Sequence, residues 1–367
     1  MNARADWRAT LATLTPRFAE RAAALDAADE FVAENYAEIK ASGLLAAGVP
    51  QDLGGQGLEL AELCEMLRTL ARACPSTALA FSMHTHQVVI NTWRLRHQKA
   101  PVAPLLEKVA RERIVIVATG GGDWLDSSGD AVPAKDGFRV TVRKAFASGA
   151  PAGSVVSTSA VVRDGRSSAE VIHFLIPMST PGVSIAPTWR TLGMRSTASH
   201  DLVLEDVFVP DERMIGPEGN GWNQVSAELA YERSGPERWL SSFRLIAELI
   251  AVLGTDARES SLEALGGLIA QLLSLRQLSL SVAGMIEAGV SPNVEAAIVK
   301  DLGTKFEQES VRVVRDIVAA EKLLDEGKAP KLRALLAHAE QWAPAFTIRG
   351  GTNEILRGVI ARGIGLR

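Results

Sequence analysis

Few side chains in this sequence have the type and spacing for chemistry, and they fall in five places. In LAYERSGPERW, residues 229–239, Glu232 and Glu237 each precede an arginine. The plain reading is two surface carboxylates near a helix start, paired with Arg233 and Arg238. A carboxylate closed off from water has another use, because desolvation raises its pKa and suits it to proton abstraction near neutrality. His84 and His86 stand two apart, which on a helix turns them to different faces, and no third ligand is near in sequence. They read as structural histidines, and no metal is expected. Thr119 opens TGGGD, whose glycines let a ligand approach the backbone, but no GK[ST] tail follows, so this is not a phosphate loop. Phe146 and Ser148 lie in KAFASGAP, where a strand passes into a turn. Near the end, Gly350 and Gly351 open a loop and Thr352 caps a helix that carries Asn353 and Glu354 early, a terminus suited to anions and polar cofactor edges.

The elements that must hold these residues change texture twice. Residues 1–112 read as helices: Leu11, Leu14, Phe18 and Ala22 share a face, and Pro50 with Gly54, Gly55 and Gly57 marks a loop between helices. Residues 113–212 are β-branched runs divided by Gly, Asp and Pro, as in a barrel of short strands. Their last run, SHDLVLEDVFVP, carries Leu202, Leu204, Val207 and Val209 and stops at Pro210. Just before it lies LGMRS, with Gly193 for tight backbone and Arg195 and Ser196 as donors. From 213 to 367 the chain is helical again, and several stretches are apolar on more than one face, so a four-helix bundle that also packs against another subunit is expected. The fold class is thus α+β, with a helical domain, a β-barrel domain and a helical bundle.

Bulk properties narrow the partners. A chain of 367 residues exceeds one ordinary core. A net charge of -4 and a pI near 6.0 give no electrostatic case for nucleic acid or an anionic membrane. No run of about 20 apolar residues for a bilayer is evident. Cys64 and Cys74, the only cysteines, read as buried thiols of a reducing compartment, the cytoplasm. The Arg- and Ala-rich start is interrupted by Asp6 and Glu20 and reads as an amphipathic helix of the fold, not a presequence.

The helix–barrel–helix order, GVPxxxGGxG at 48–57, LGMRS with the strand after it, KAFASG and the closing FTIRGGTNEILRG resemble the acyl-CoA dehydrogenases across nearly the whole chain. That resemblance implies FAD bound between the barrel and the C-terminal bundle. It also implies a base that removes the proton alpha to a thioester carbonyl while hydride leaves the beta carbon. By resemblance Phe146 lies against the flavin ring, the Ser148 hydroxyl approaches N5, Thr119 contacts the pyrimidine, and Thr352 and Glu354 touch the cofactor. Many members carry the base as the Glu of Y-E-G-T, but the matching residues here are Arg349, Gly350, Gly351 and Thr352. A subset carries it on the first bundle helix, where Glu232 matches.

The resemblance therefore implies an acyl-CoA or acyl-carrier thioester as substrate, an electron-transfer flavoprotein as acceptor, and a homodimer or homotetramer. Three family segments are not found: T-E-P with its CoA-binding serine loop, R-x-x-F-G, and Q-x-x-G-G-x-G. Two other readings stay open, a flavin monooxygenase on the same fold and a non-catalytic subunit of a hetero-oligomer.

Overall fold

The computed structural model describes residues 6–119, 123, 127–163, 170–216, 221–325, 329–343 and 349–366. Five helices come first: α1 (Trp7–Ala28), α2 (Ala33–Ala41), α3 (Leu60–Ala73), α4 (Pro75–Trp93) and α5 (Ala103–Glu112). The face expected on α1 is the buried one, with Leu11 and Phe18 fully enclosed. Asp6 caps that helix, its Oδ1 accepting from the Arg8 and Ala9 amides at 2.9 and 3.3 Å. In α4 only Met83 and Trp93 are not fully buried, so it is a central helix enclosed on all sides.

Among the described residues seven strands follow: β1 (Ile116–Ala118), β2 (Asp130–Ala134), β3 (Gly137–Ala147), β4 (Val155–Val162), β5 (Val171–Pro177), β6 (Val183–Ala186) and β7 (His200–Pro210). β1 and β2 pair in parallel with opposite ends of one edge of β4, and β5 runs antiparallel along its other edge. β2, β3, β7 and β6 continue the sheet by antiparallel ladders. No ladder among the described residues joins β5 to β6, so the barrel expected from the strand spacing takes the form of a curled sheet. Its inner face packs Phe138, Val140, Phe174, Leu202, Leu204 and Val207.

The break in the alternation of β7, from Leu204 to Val207, has a local cause. Val142 pairs with Leu204 and Val140 with Val207, so three steps on β7 face two on β3. Asp206 takes up the extra residue as a bulge at φ 50°.

Among the described residues six α-helices follow the sheet: α6 (Gly221–Ser234), α7 (Leu240–Val252), α8 (Glu259–Glu287), α9 (Asn293–Ala320), α10 (Pro330–Trp342) and α11 (Asn353–Gly363). The first and last helical segments share a single core, in which Phe18, Leu70 and Phe81 meet Trp239, Leu249 and Val314. The sheet keeps its own. Among the described helices α8 has the length and hydropathy of a membrane span, averaging 1.3 over a window that is 28% buried, which qualifies the expectation from the sequence. Its exposed apolar side chains include Leu262, Leu273 and Leu278, and Leu278 lines one groove with Leu302 of α9, the kind of surface that a second subunit covers.

The LGMRS loop is where the sheet meets the bundle. A Cβ on Gly193 would lie 1.5 Å from Cδ1 of Trp342 at the end of α10, so only glycine fits. The Arg195 amide donates to Asp26 Oδ1 at 3.1 Å, tying the loop to α1 as well. Gly193→Ala should destabilise the protein by roughly 1–3 kcal/mol through overpacking against the indole, read as a lower urea midpoint. An unchanged midpoint would mean the loop moves aside freely.

Candidate active site

α6 places two carboxylates four residues apart, and the i,i+4 spacing sets Glu228 and Glu232 one turn from each other. Glu228 is buried. Gln87 Nε2 of α4 donates to its Oε2 at 2.8 Å, and Arg94 Nη1, one residue beyond α4, to its Oε1 at 3.2 Å. His173 Nε2 of β5 lies 3.5 Å from the same Oε1 and 2.9 Å from Ser157 Oγ of β4. This cluster locks α4, the sheet and α6 together.

Burial would raise the Glu228 carboxyl, but the neighbouring cations and Gln87 hold it below the usual range. Burial also pushes His173 down to about 4, so near pH 7 that ring is neutral and Arg94 is the partner that keeps Glu228 ionised. Ser157, His173 and Glu228 have the residue types of a nucleophilic triad. They do not form one, because both contacts use Nε2 and Nδ1 has no hydrogen-bond partner.

Glu232 sits one turn further along α6 with 18% of its side chain exposed. It is not the surface carboxylate paired with Arg233 that the plain reading gives. Arg233 is buried and donates through Nε to the Gly350 carbonyl at 2.8 Å, while Glu232 Oε1 lies 3.5 Å from Nη2 of the fully buried Arg238. A Cβ built on Gly350 would stand 3.3 Å from Glu232 Oε1. The position that would carry the Glu of Y-E-G-T and the carboxylate of Glu232 therefore converge on the same space. At φ 63° Gly350 also occupies the left-handed region, which favours glycine.

Beneath that turn, Asn353 is the early α11 residue drawn inward. Its Oδ1 accepts from Lys300 Nζ at 2.7 Å and Thr304 Oγ1 at 2.9 Å, both of α9. Thr352 caps the helix by accepting from the Ile355 amide at 3.4 Å, and Glu354 is exposed. Arg349 pairs with buried Glu307. Desolvation, with Arg238, Arg349 and Arg233 nearby, brings the Lys300 ammonium down to about 7.

On the sheet, Phe146 is 41% exposed at φ 65°, and its ring meets Trp189 edge to face at 6.0 Å. Ser148 Oγ is 2.7 Å from Ser199 Oγ, which is 2.7 Å from Thr197 Oγ1, making a short row of hydroxyls. Thr119 Oγ1 donates to Thr158 Oγ1 at 2.5 Å. Gly120 and Gly121 lie outside the described residues. An outward aromatic face with hydroxyls along the adjoining loop fits the plane and polar edge of a flavin ring.

Both ring nitrogens of His84 serve the backbone: Nε2 is 3.0 Å from the Leu45 carbonyl, and Nδ1 accepts from the Ile116 amide at 3.0 Å. Burial pushes this ring too to about 4. Unfolded, His84 and His173 would titrate near 6.5, so the stability from keeping them neutral is whole above that pH and is lost as pH falls toward 4. Each contributes roughly 3 kcal/mol to that loss. Melting temperature measured stepwise from neutral pH should decline across this window, and a flat profile would mean the folded rings already carry protons.

Sequence reasoning missed Glu228, Gln87, Arg94, the inward bonds of Asn353 and the inward turn of Arg238. The four-residue spacing of Glu228 and Glu232 was the one local signal for any of them.

Three acyl-CoA dehydrogenase profiles match in chain order: the N-terminal domain over residues 6–108, the middle domain over 119–207 and the C-terminal domain over 219–365. The chain belongs to the acyl-CoA dehydrogenase family. It is 28% identical over 233 residues to a putative acyl-CoA dehydrogenase of Bacillus subtilis, a match covering 59% of each chain. It spans about half the length of the curated relatives it matches. Butyryl-CoA dehydrogenase from Megasphaera elsdenii superposes with a TM-score of 0.82 at 18% identity, covering 98% of both chains. Dibenzothiophene monooxygenase from Paenibacillus sp. A11-2 gives 0.83 at 18% identity, covering 98% of this chain and 97% of that one. These two structures share the fold but not one reaction, so the fold leaves the reaction to the site.

Proposed function

We propose that this chain is an FAD-dependent acyl-thioester dehydrogenase with Glu232 as its base. The observation that carries the reading is the convergence of Glu232 on the space beside Gly350, where the rest of the family offers its other base position. Glu232 takes the proton alpha to the thioester carbonyl, and its partial exposure leaves a path for that proton to solvent. Phe146 would lie against the isoalloxazine face, with Ser148 and Thr119 hydroxyls at its polar edge and Thr352 and Glu354 near the rest of the cofactor. When bound, the flavin accepts the hydride that leaves the beta carbon.

The remaining expectations join this proposal. The substrate is an acyl-CoA or an acyl-carrier thioester, and electrons pass to an electron-transfer flavoprotein. Two or four copies associate through the leucine-bearing faces of α8 and α9, in the cytoplasm. The decisive experiment is anaerobic titration of the purified protein with acyl-CoA substrates. Bleaching of a retained oxidised flavin, with formation of the α,β-unsaturated thioester, supports the reading. A protein that releases its flavin and needs a reductase and oxygen would instead be a monooxygenase, and the Glu232–Arg238 pair would then be structural.

A further inference from the structure

Arg238 ends the short turn Pro236–Arg238 between α6 and α7 and is 0% exposed. Among the described residues none of Nε, Nη1 or Nη2 has a hydrogen-bond partner. A guanidinium carries five donors and keeps its charge, so burying one without acceptors is costly. Among the described residues its ion pair is with Glu232, 3.5 Å from Nη2 to Oε1. Among the described residues, the buried carboxylate of Glu307 is taken by Arg349 and by the Ser241 hydroxyl, which donates at 2.6 Å, and that of Asp301 by Lys305 and Arg357.

The two neighbouring arginines divide the work. Arg233 pins the Gly350 turn by its carbonyl, and Arg238 faces both the carboxylate and the turn, with Nη1 3.1 Å from where a Cβ on Gly350 would be.

We infer that Arg238 is a positioning residue for Glu232: it engages Oε1, the oxygen that faces the Gly350 turn, and so holds the carboxylate over that turn toward the acyl chain. This rests on Glu232 being the base. The 3.5 Å separation is longer than a full charge-assisted hydrogen bond of about 2.7–2.9 Å. The carboxylate is therefore oriented without having its proton-accepting lone pairs fully occupied. Because Arg238 has no exposed surface, it reaches the substrate only through Glu232. Its loss should slow proton abstraction without weakening binding.

The test uses Arg238→Met, Arg238→Lys, Glu232→Gln and the double variant Glu232→Gln/Arg238→Met, each as flavin-loaded protein with butyryl-CoA as probe. Arg238→Met should slow anaerobic flavin reduction roughly ten- to hundredfold by misplacing the base, with half-saturation changed less than about threefold, and Arg238→Lys should recover part of the rate. In thermal melts Glu232→Gln should cost more than the double variant, because it leaves a buried guanidinium without its anion. Reduction by Arg238→Met within about twofold of the parent, or weakened binding at an unchanged rate, would overturn the inference. So would additive melting shifts. Should Glu232→Gln still reduce the flavin, the base assignment fails, while the melting cycle still reports whether the pair exists.

Discussion

Replacing Glu232 by glutamine stops flavin reduction by acyl thioester while the protein stays yellow. The amide has nearly the shape of the carboxylate but cannot accept the alpha proton, and general-base catalysis contributes roughly 10²- to 10⁴-fold. The cofactor contacts proposed for Phe146, Ser148 and Thr119 come from the sheet, and the hydroxyls of Ser148 and Thr119 bond to Ser199, Ser157 and Thr158, not to Glu232, so flavin content should not change. Single-turnover reduction, with bound flavin measured from the released chromophore, checks both halves. Turnover close to the parent rate would remove Glu232 from the chemistry.

The second large effect is on stability. Glu228→Ala takes the anion from a buried guanidinium, Arg94, which is 1% exposed, and leaves Gln87 Nε2 without its carboxylate acceptor. Breaking a buried pair in this way costs about 3–5 kcal/mol, far more than loss of an exposed one. Replacing both partners with apolar residues, Glu228→Leu with Arg94→Met, should cost less than Glu228→Ala alone, because no charge is then stranded. Urea denaturation of the three proteins measures this. A loss below about 1 kcal/mol for Glu228→Ala would mean that water reaches the cluster.

How much of this was legible in the chain depended on distance along it. Local periodicity identified the buried face of α1 through Leu11, Leu14 and Phe18, and the inward row of β7 through Leu202, Leu204, Val207 and Val209. It did not explain the skipped step between Leu204 and Val207, because the Asp206 bulge is defined by register against β3. The cluster around Glu228 joins α4, β5 and α6 across more than a hundred residues, and no window of sequence contains it. Arg238 was misread for a related reason: its charge suggested solvent, while the turn at Pro236 carries it inside. Glu232 was found through family resemblance. The sequence pattern alone also allowed a solvated ion pair there.

The shared space at Gly350 and Glu232 has an evolutionary corollary. Two carboxylates cannot both enter it beside one substrate without severe like-charge repulsion. A lineage moving its proton acceptor between loop and helix therefore has an ordered path, discarding the old group before installing the new one. The intermediate bears neither and is inert as a dehydrogenase, yet keeps its fold and its ligand cleft. Such a transitional chain would be free to adopt another reaction.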